Sequence, residues 1–126
     1  MLELTINGTN YPFNFDIRFV REINKTVQRP VEGFSGLKED MGLAFNIGQV
    51  LSGDVLALIN VLEMANKGKT PRITASALEE YIDDPATDID KLFEDVVAFF
   101  MNANATKKTT TQMAEAMGIK LPKAKE

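Results

Sequence analysis

Two short runs at the start of the chain alternate apolar and polar residues on either side of a turn. Leu2, Leu4 and Ile6 alternate with Glu3, Thr5 and Asn7, and Tyr11, Phe13 and Phe15 alternate with Pro12, Asn14 and Asp16. Period-two alternation around Asn7-Gly8-Thr9-Asn10 predicts a β-hairpin over residues 2–15 with its apolar side chains on one face. With Gly8-Thr9 as the centre of a type II′ turn, Ile6 faces Tyr11, Leu4 faces Phe13 and Leu2 faces Phe15. Centring the turn on Asn7-Gly8 keeps the same face but sets Ile6 against Thr9, a poorer pair, so the first register is expected. A lone two-stranded hairpin is marginal in water. Its apolar face must therefore be covered by helices or by another subunit. Pro12 cannot donate to a ladder and suits an edge.

Downstream the apolar period changes to that of helices. The first helix is expected at about 16–27, capped by Asp16, with Ile17, Val20, Ile23 and Val27 along one side and Phe19 beside them. Arg29-Pro30 should end it, and residues 28–39, with Pro30, Gly33 and Gly36, read as a loop. A second helix is expected at about 40–52, closed by Gly53. A third, 54–66, is capped by Asp54; it is apolar on most sides, which predicts a central position. A fourth spans 75–83, with Thr74 and a Ser76-Ala77-Leu78-Glu79 capping box as competing starts. A fifth spans 88–103, where Ile89, Leu92, Phe93, Val96, Phe99 and Phe100 trace a 3.6-residue stripe. The fold class is α+β and mostly α: a hairpin packed on about five helices, in one globular domain over 1–104. Residues 105–126 read as a flexible basic tail, with at most one short helix at 111–117.

The chain has no cysteine and no histidine. Disulfides, cysteine zinc sites, thiol catalysis, Ser-His-Asp triads and imidazole proton transfer are thereby excluded. The net charge of −4 is unevenly placed. Residues 1–105 carry nine basic and 16 acidic groups, a net −7, whereas 106–126 carry five and two, a net +3. An acidic body argues against duplex DNA, whose affinity rests on Lys and Arg contacts to phosphate. The opening residues lack the features of a signal peptide, and no run reaches the roughly 18 apolar residues of a membrane span. A soluble cytoplasmic protein without membrane or nucleic-acid partners is expected.

No catalytic constellation emerges. Asp83, Asp84, Asp88, Asp90, Glu94 and Asp95 form an acidic group, but their spacing does not match a calcium loop and Pro85 intervenes. Gly68-Lys69-Thr70 hints at a phosphate loop, yet no glycine stands five positions earlier and no strand precedes it. Catalytic residues, metal ligands and cofactors are expected to be absent. The candidate partner-binding residues are Phe99 and Met101 together with the tail residues Met113, Met117 and Leu121. Methionine suits adaptable contacts. The alternative is that Phe99 belongs to the core and the tail methionines merely dock on the body.

The order of these segments resembles the tail assembly chaperone family of long-tailed phages and prophages of Gram-positive bacteria. The resemblance is carried by Leu4-Thr5-Ile6-Asn7-Gly8 with Tyr11-Pro12-Phe13-Asn14-Phe15, then Phe19-Val20-Arg21-Glu22-Ile23-Asn24-Lys25. It continues through Gly42-Leu43-Ala44, Val50-Leu51-Ser52-Gly53-Asp54-Val55-Leu56-Ala57-Leu58, Arg72-Ile73-Thr74, Glu80-Tyr81-Ile82-Asp83 and Leu92-Phe93-Glu94-Asp95-Val96, over roughly residues 2–104. The resemblance implies a non-catalytic protein that binds the long, apolar tape measure protein and keeps it soluble while tail tube subunits polymerise. It implies action in the host bacterial cytoplasm and absence from the mature virion. Self-association and contact with the tail tube protein are further expectations. The competing readings are a structural tail component of the virion, such as a tube or completion protein, and a small nucleic-acid-binding regulator. The first would call for more strand, the second for a recognition helix and a basic body.

Overall fold

The computed structural model describes residues 1–121. It is an α+β fold, mostly α, built in the order β1 (Leu2–Ile6), β2 (Thr9–Phe13), α1 (Ile17–Asn24), β3 (Gln28–Pro30), β4 (Lys38–Asp40), α2 (Gly42–Leu51), α3 (Val55–Asn66), α4 (Ala75–Asp83), α5 (Ile89–Asn102) and α6 (Lys107–Ala116). Strands β1 and β2 form the N-terminal hairpin, and β3 and β4 form a second one.

The first hairpin takes the other register: Ile6 stands opposite Thr9, Leu4 opposite Tyr11 and Leu2 opposite Phe13. The turn chemistry outweighs the side-chain pairing. Asn7 and Gly8 both have positive φ, 52° and 78°. A type I′ turn needs that at both central positions, and Asn-Gly is the pair that adopts it at least cost. The alternative type II′ turn on Gly8-Thr9 would need positive φ at Gly8 alone and would leave the Asn7 preference unused. Leu2, Ile6 and Phe13 are buried on the shared face, while Leu4 and Tyr11 are half-buried. The cover comes from within the chain: β2 packs on α3 and β1 on α4. Phe15 lies beyond the strand, its ring 5.1 Å from Phe19 and 4.8 Å from Phe100.

Helix α1 is capped by the Asp16 carboxylate, which accepts from the Phe19 N–H at 3.0 Å. It ends at Asn24, short of the expected 27. Gly42, the first residue of α2, sits against its last turn. A Cβ there would stand 1.8 Å from the Ile23 carbonyl oxygen. The side chains of Thr26 and Asn24 complete the junction, Thr26 donating to the Ile23 carbonyl and Asn24 accepting from the Leu43 N–H. The buried face of α1 is Phe19 and Ile23; Ile17 points to solvent. Residues 28–39, expected as a loop, contain the β3–β4 hairpin. Its strands are polar, so no alternation announces them. They are paired instead by Arg29 with Glu39 and Gln28 with Asp40, directly opposite each other. Its turn leaves Phe34 63% and Leu37 53% exposed.

Helix α3 is central, with Ala57, Leu58, Val61, Leu62, Ala65 and Asn66 buried. Thr74 rather than Ser76 caps α4, accepting from Ala77. Two guanidinium groups finish α3: Arg18 donates to the Met64 carbonyl at 3.1 Å and Arg72 to the Glu63 carbonyl at 2.8 Å. Cations at a helix C-terminus satisfy its open carbonyls and oppose its dipole. Between them lies Asn66, fully buried. Its amide nitrogen donates to the carbonyls of Pro12 and Pro71, and its oxygen accepts from the Ile73 N–H at 2.7 Å and from Arg72 at 3.1 Å.

In the stretch expected as a flexible tail with at most a short helix at 111–117, the helix begins earlier, spans Lys107–Ala116 and packs on α2 and α5. Thr106, Thr110 and Ala114 are its buried residues, one turn apart, and Thr106 donates to the Phe100 carbonyl at 2.7 Å. Small residues at this spacing let the helix close on its neighbours without a large apolar stripe. Lys123, Lys125 and the rest of 122–126, the end of the expected basic tail, lie outside the described residues.

Two substitutions test these junctions. Asn66→Ala leaves the Ile73 N–H and the Pro12 carbonyl buried without partners and should cost about 3 kcal/mol. Gly42→Ala forces a Cβ into backbone and should cost about 2–3 kcal/mol. Urea unfolding followed by circular dichroism measures both.

Candidate partner-binding surface

The apolar stripe of α5 is wider than one buried face requires. Leu92, Val96 and Phe100, spaced one turn apart, fill the core. Phe93 and Val97 form a second row on the shoulder of the helix and are half-buried. Across from them stands the C-terminal end of α2. A groove of about 570 Å³ runs between the two, lined by Val50, Leu51 and Gly53 on one side and by Asp90, Phe93, Glu94 and Val97 on the other. Ile119 and Leu121 line its remaining edge.

The end of α6 brings those last two residues there. Gly118 takes φ +68°, its N–H bonds the Glu115 carbonyl at 3.1 Å, and the Ile119 N–H bonds the Ala114 carbonyl at 2.8 Å. This is the Schellman arrangement, which reverses the chain after a helix. Gly53 ends α2 in the same way, with the Asp54 N–H on the Gln49 carbonyl at 2.9 Å. The reversal at Gly53 leads into α3 with Leu56 70% exposed and Val55 beside it.

The charged residues of the groove are both acidic. Asp90 and Glu94 lie one turn apart along its α5 edge and are exposed. The neighbouring Lys91 is turned to Asp95, 3.4 Å away. A second concavity of about 330 Å³ has a mixed lining, with Ile23 and Met64 beside Asn46, Asn60, Glu63, Lys67 and Arg72. Its arginine is committed to the end of α3. Among the described residues, no group of three or more Asp and Glu side chains is placed to hold a metal ion. No helix among them is long and apolar enough to cross a membrane.

The five residues expected to bind a partner do not form one surface. Met113 and Met117 come together over Gly48 of α2, where an added Cβ would lie 2.9 Å from the Met113 methyl and 3.9 Å from the Met117 sulfur. Met113 is half-buried against the core, and Met117 is more exposed. Leu121 lies in the groove. Phe99 lies in a separate shallow cavity with Met1, Asn14, Phe15, Asn102 and Ala103. Met101 is half-buried near the end of α5. Val50, Leu51, Phe93, Val97 and Ile119 were not among the sequence candidates. The signal available was the excess width of the α5 stripe, which reads as core when helix neighbours are unknown.

A family model described as phage tail assembly chaperone protein, TAC, matches residues 3–115. No curated protein and no solved structure matches the chain.

The seat of α6 on α2 depends on Gly48. Gly48→Ala meets only the mobile end of Met113, and the roughly 1 kcal/mol gained in helix propensity should leave stability nearly unchanged. Gly48→Leu should lift α6, raising amide exchange over 107–116 by about tenfold while the α3 amides keep their protection.

Proposed function

Because the chain belongs to the phage tail assembly chaperone family, we propose that it binds the tape measure protein and keeps it soluble during tail morphogenesis. The role is one of binding, without catalysis. On this reading it acts in the host bacterial cytoplasm, is displaced as tail tube subunits polymerise, and does not remain in the virion. The observation that carries the proposal is the α2–α5 groove. Its half-buried Leu51, Phe93 and Val97 present apolar surface that the chain's own side chains leave unfilled.

The physics of the client favours such a partner. A long helical protein with an apolar stripe exposes more contiguous apolar surface than a soluble chain tolerates. A helix laid in an apolar groove buries that stripe without disturbing its backbone hydrogen bonds. The net −7 of residues 1–105 would keep a client coated with many copies dispersed. A tube subunit reading finds little support, since sheet among the described residues is limited to two two-stranded hairpins.

Co-expression with the tape measure protein of the same genome tests the proposal. The tape measure protein should move into the soluble fraction and co-purify with this chain. A tape measure protein that stays insoluble and does not co-purify would overturn the reading, and finding the chain in purified virions would replace it with a structural role.

A further inference from the structure

The groove also constrains the chemistry of what enters it. Resting on the chaperone reading above, we infer that it takes an amphipathic helix whose apolar stripe is flanked by lysine or arginine.

Three observations lead there. The first is backbone chemistry. Both long walls of the groove, α2 and α5, are helices whose interior N–H and C=O groups are already paired. An extended segment would bury its own polar backbone against them with no partners, whereas a helix brings those bonds satisfied. Phe93 and Val97 are one turn apart, so this wall is about 6 Å long between them. With Leu51 opposite, it offers room for side chains at i and i+3 or i+4 of an entering helix.

The second is charge. Asp90 and Glu94 stand beside the apolar row of α5, and no lysine or arginine lines the groove among the described residues. A flanking cation on the entering helix meets that rim; a flanking carboxylate is repelled by it. The same rim disfavours a second copy of this chain. A two-fold contact through this patch would bring two acidic rims into one interface with no lysine or arginine from the groove lining to offset them.

The third is the chain's own use of the groove. Ile119 and Leu121 line it while Lys120 between them is exposed. This stretch lies beyond the end of α6 and is not helical, so it speaks to the charge of an occupant and not to its backbone: an apolar–basic–apolar pattern already stands at one edge.

The test uses the full chain and synthetic 18-residue helical peptides labelled with fluorescein. One carries leucine at heptad spacing with lysine on the flanking positions. A second has glutamate in place of each lysine. A third keeps the lysines but scrambles the leucine order. Fluorescence anisotropy should show the lysine peptide binding about tenfold tighter than either of the others. The double variant Asp90→Lys/Glu94→Lys should reverse the order of the first two, with its fold verified by circular dichroism. The control Asp83→Lys/Asp84→Lys, which changes net charge equally at the end of α4, should leave the order as it was.

Equal affinity for the lysine and glutamate peptides would overturn the inference, and so would a reversal by the control variant as large as by the groove variant. Binding of the lysine peptide only after removal of residues 122–126 would assign the groove to the chain's own end and overturn it too. A dimer that the lysine peptide cannot dissociate, and that Val97→Asp does, would assign it to a second copy. The chaperone reading is tested separately. If the tape measure protein co-purifies equally with wild type and the groove variant, that reading stands and the groove inference falls. If it co-purifies with neither while the lysine peptide binds the groove, the inference stands and the client is a different helix.

Discussion

The carboxamide of Asn66 joins parts of the chain that are distant in sequence. It holds the end of β2 through Pro12, the connection after α3 through Pro71 and Arg72, and the approach to α4 through Ile73. Asparagine is suited to this point because one planar group supplies two donors and an acceptor with two lone pairs. All four bonds are made, and the residue is fully buried. A buried amide is costly unless satisfied, so the arrangement is close to all-or-none. The β1–β2 hairpin is thereby held on the central helix at a set height, an attachment strengthened by the Asn14 N–H on the Ala65 carbonyl at 3.0 Å. With the hairpin held, Phe15 reaches Phe19 and Phe100, and α1 and α5 are brought together over α3.

The opposite side of α5 follows from the same placement. Once Leu92, Val96 and Phe100 are committed inward, Phe93 and Val97 must lie on the shoulder, facing α2. Two Schellman turns, at Gly53 and Gly118, then set the other boundaries of the groove. Each requires a residue that accepts positive φ, and each sends the chain back toward the body instead of out into solvent. The proposed binding surface is therefore a consequence of helix geometry and two glycine-terminated helix ends. It has an apolar floor and an acidic rim.

Much of this was legible in the residues. The hairpin, its apolar face and the central helix rest on local periodicity, which survives in any tertiary context that buries one face. Errors came where local signals compete. At the first turn, Asn7-Gly8 conformational preference outweighed the better cross-strand pairing of Ile6 with Tyr11. At the end of α1, the pattern ran on to Val27, but the close approach of Gly42 stopped the helix at Asn24. The β3–β4 hairpin has polar strands paired by charge, and charge alternation does not distinguish strand from loop. Helix α6 was underestimated because its buried stripe is Thr106, Thr110 and Ala114, whose composition resembles a solvated tail.

By itself the sequence determined the mostly helical α+β class, the absence of thiol and imidazole chemistry, the acidic body and the serial order that marks the family. These depend on composition and on contacts within a few residues. The tertiary structure decided which apolar residues are left over. Phe93 and Val97 carry the same hydrophobic signal as Leu92 and Val96, and nothing local separates them. They differ only in what stands opposite: the packed core in one case, the gap beside α2 in the other. The partition between core and groove is set by helix-on-helix placement, and that placement is the sum of many long-range contacts that no single stretch of sequence contains.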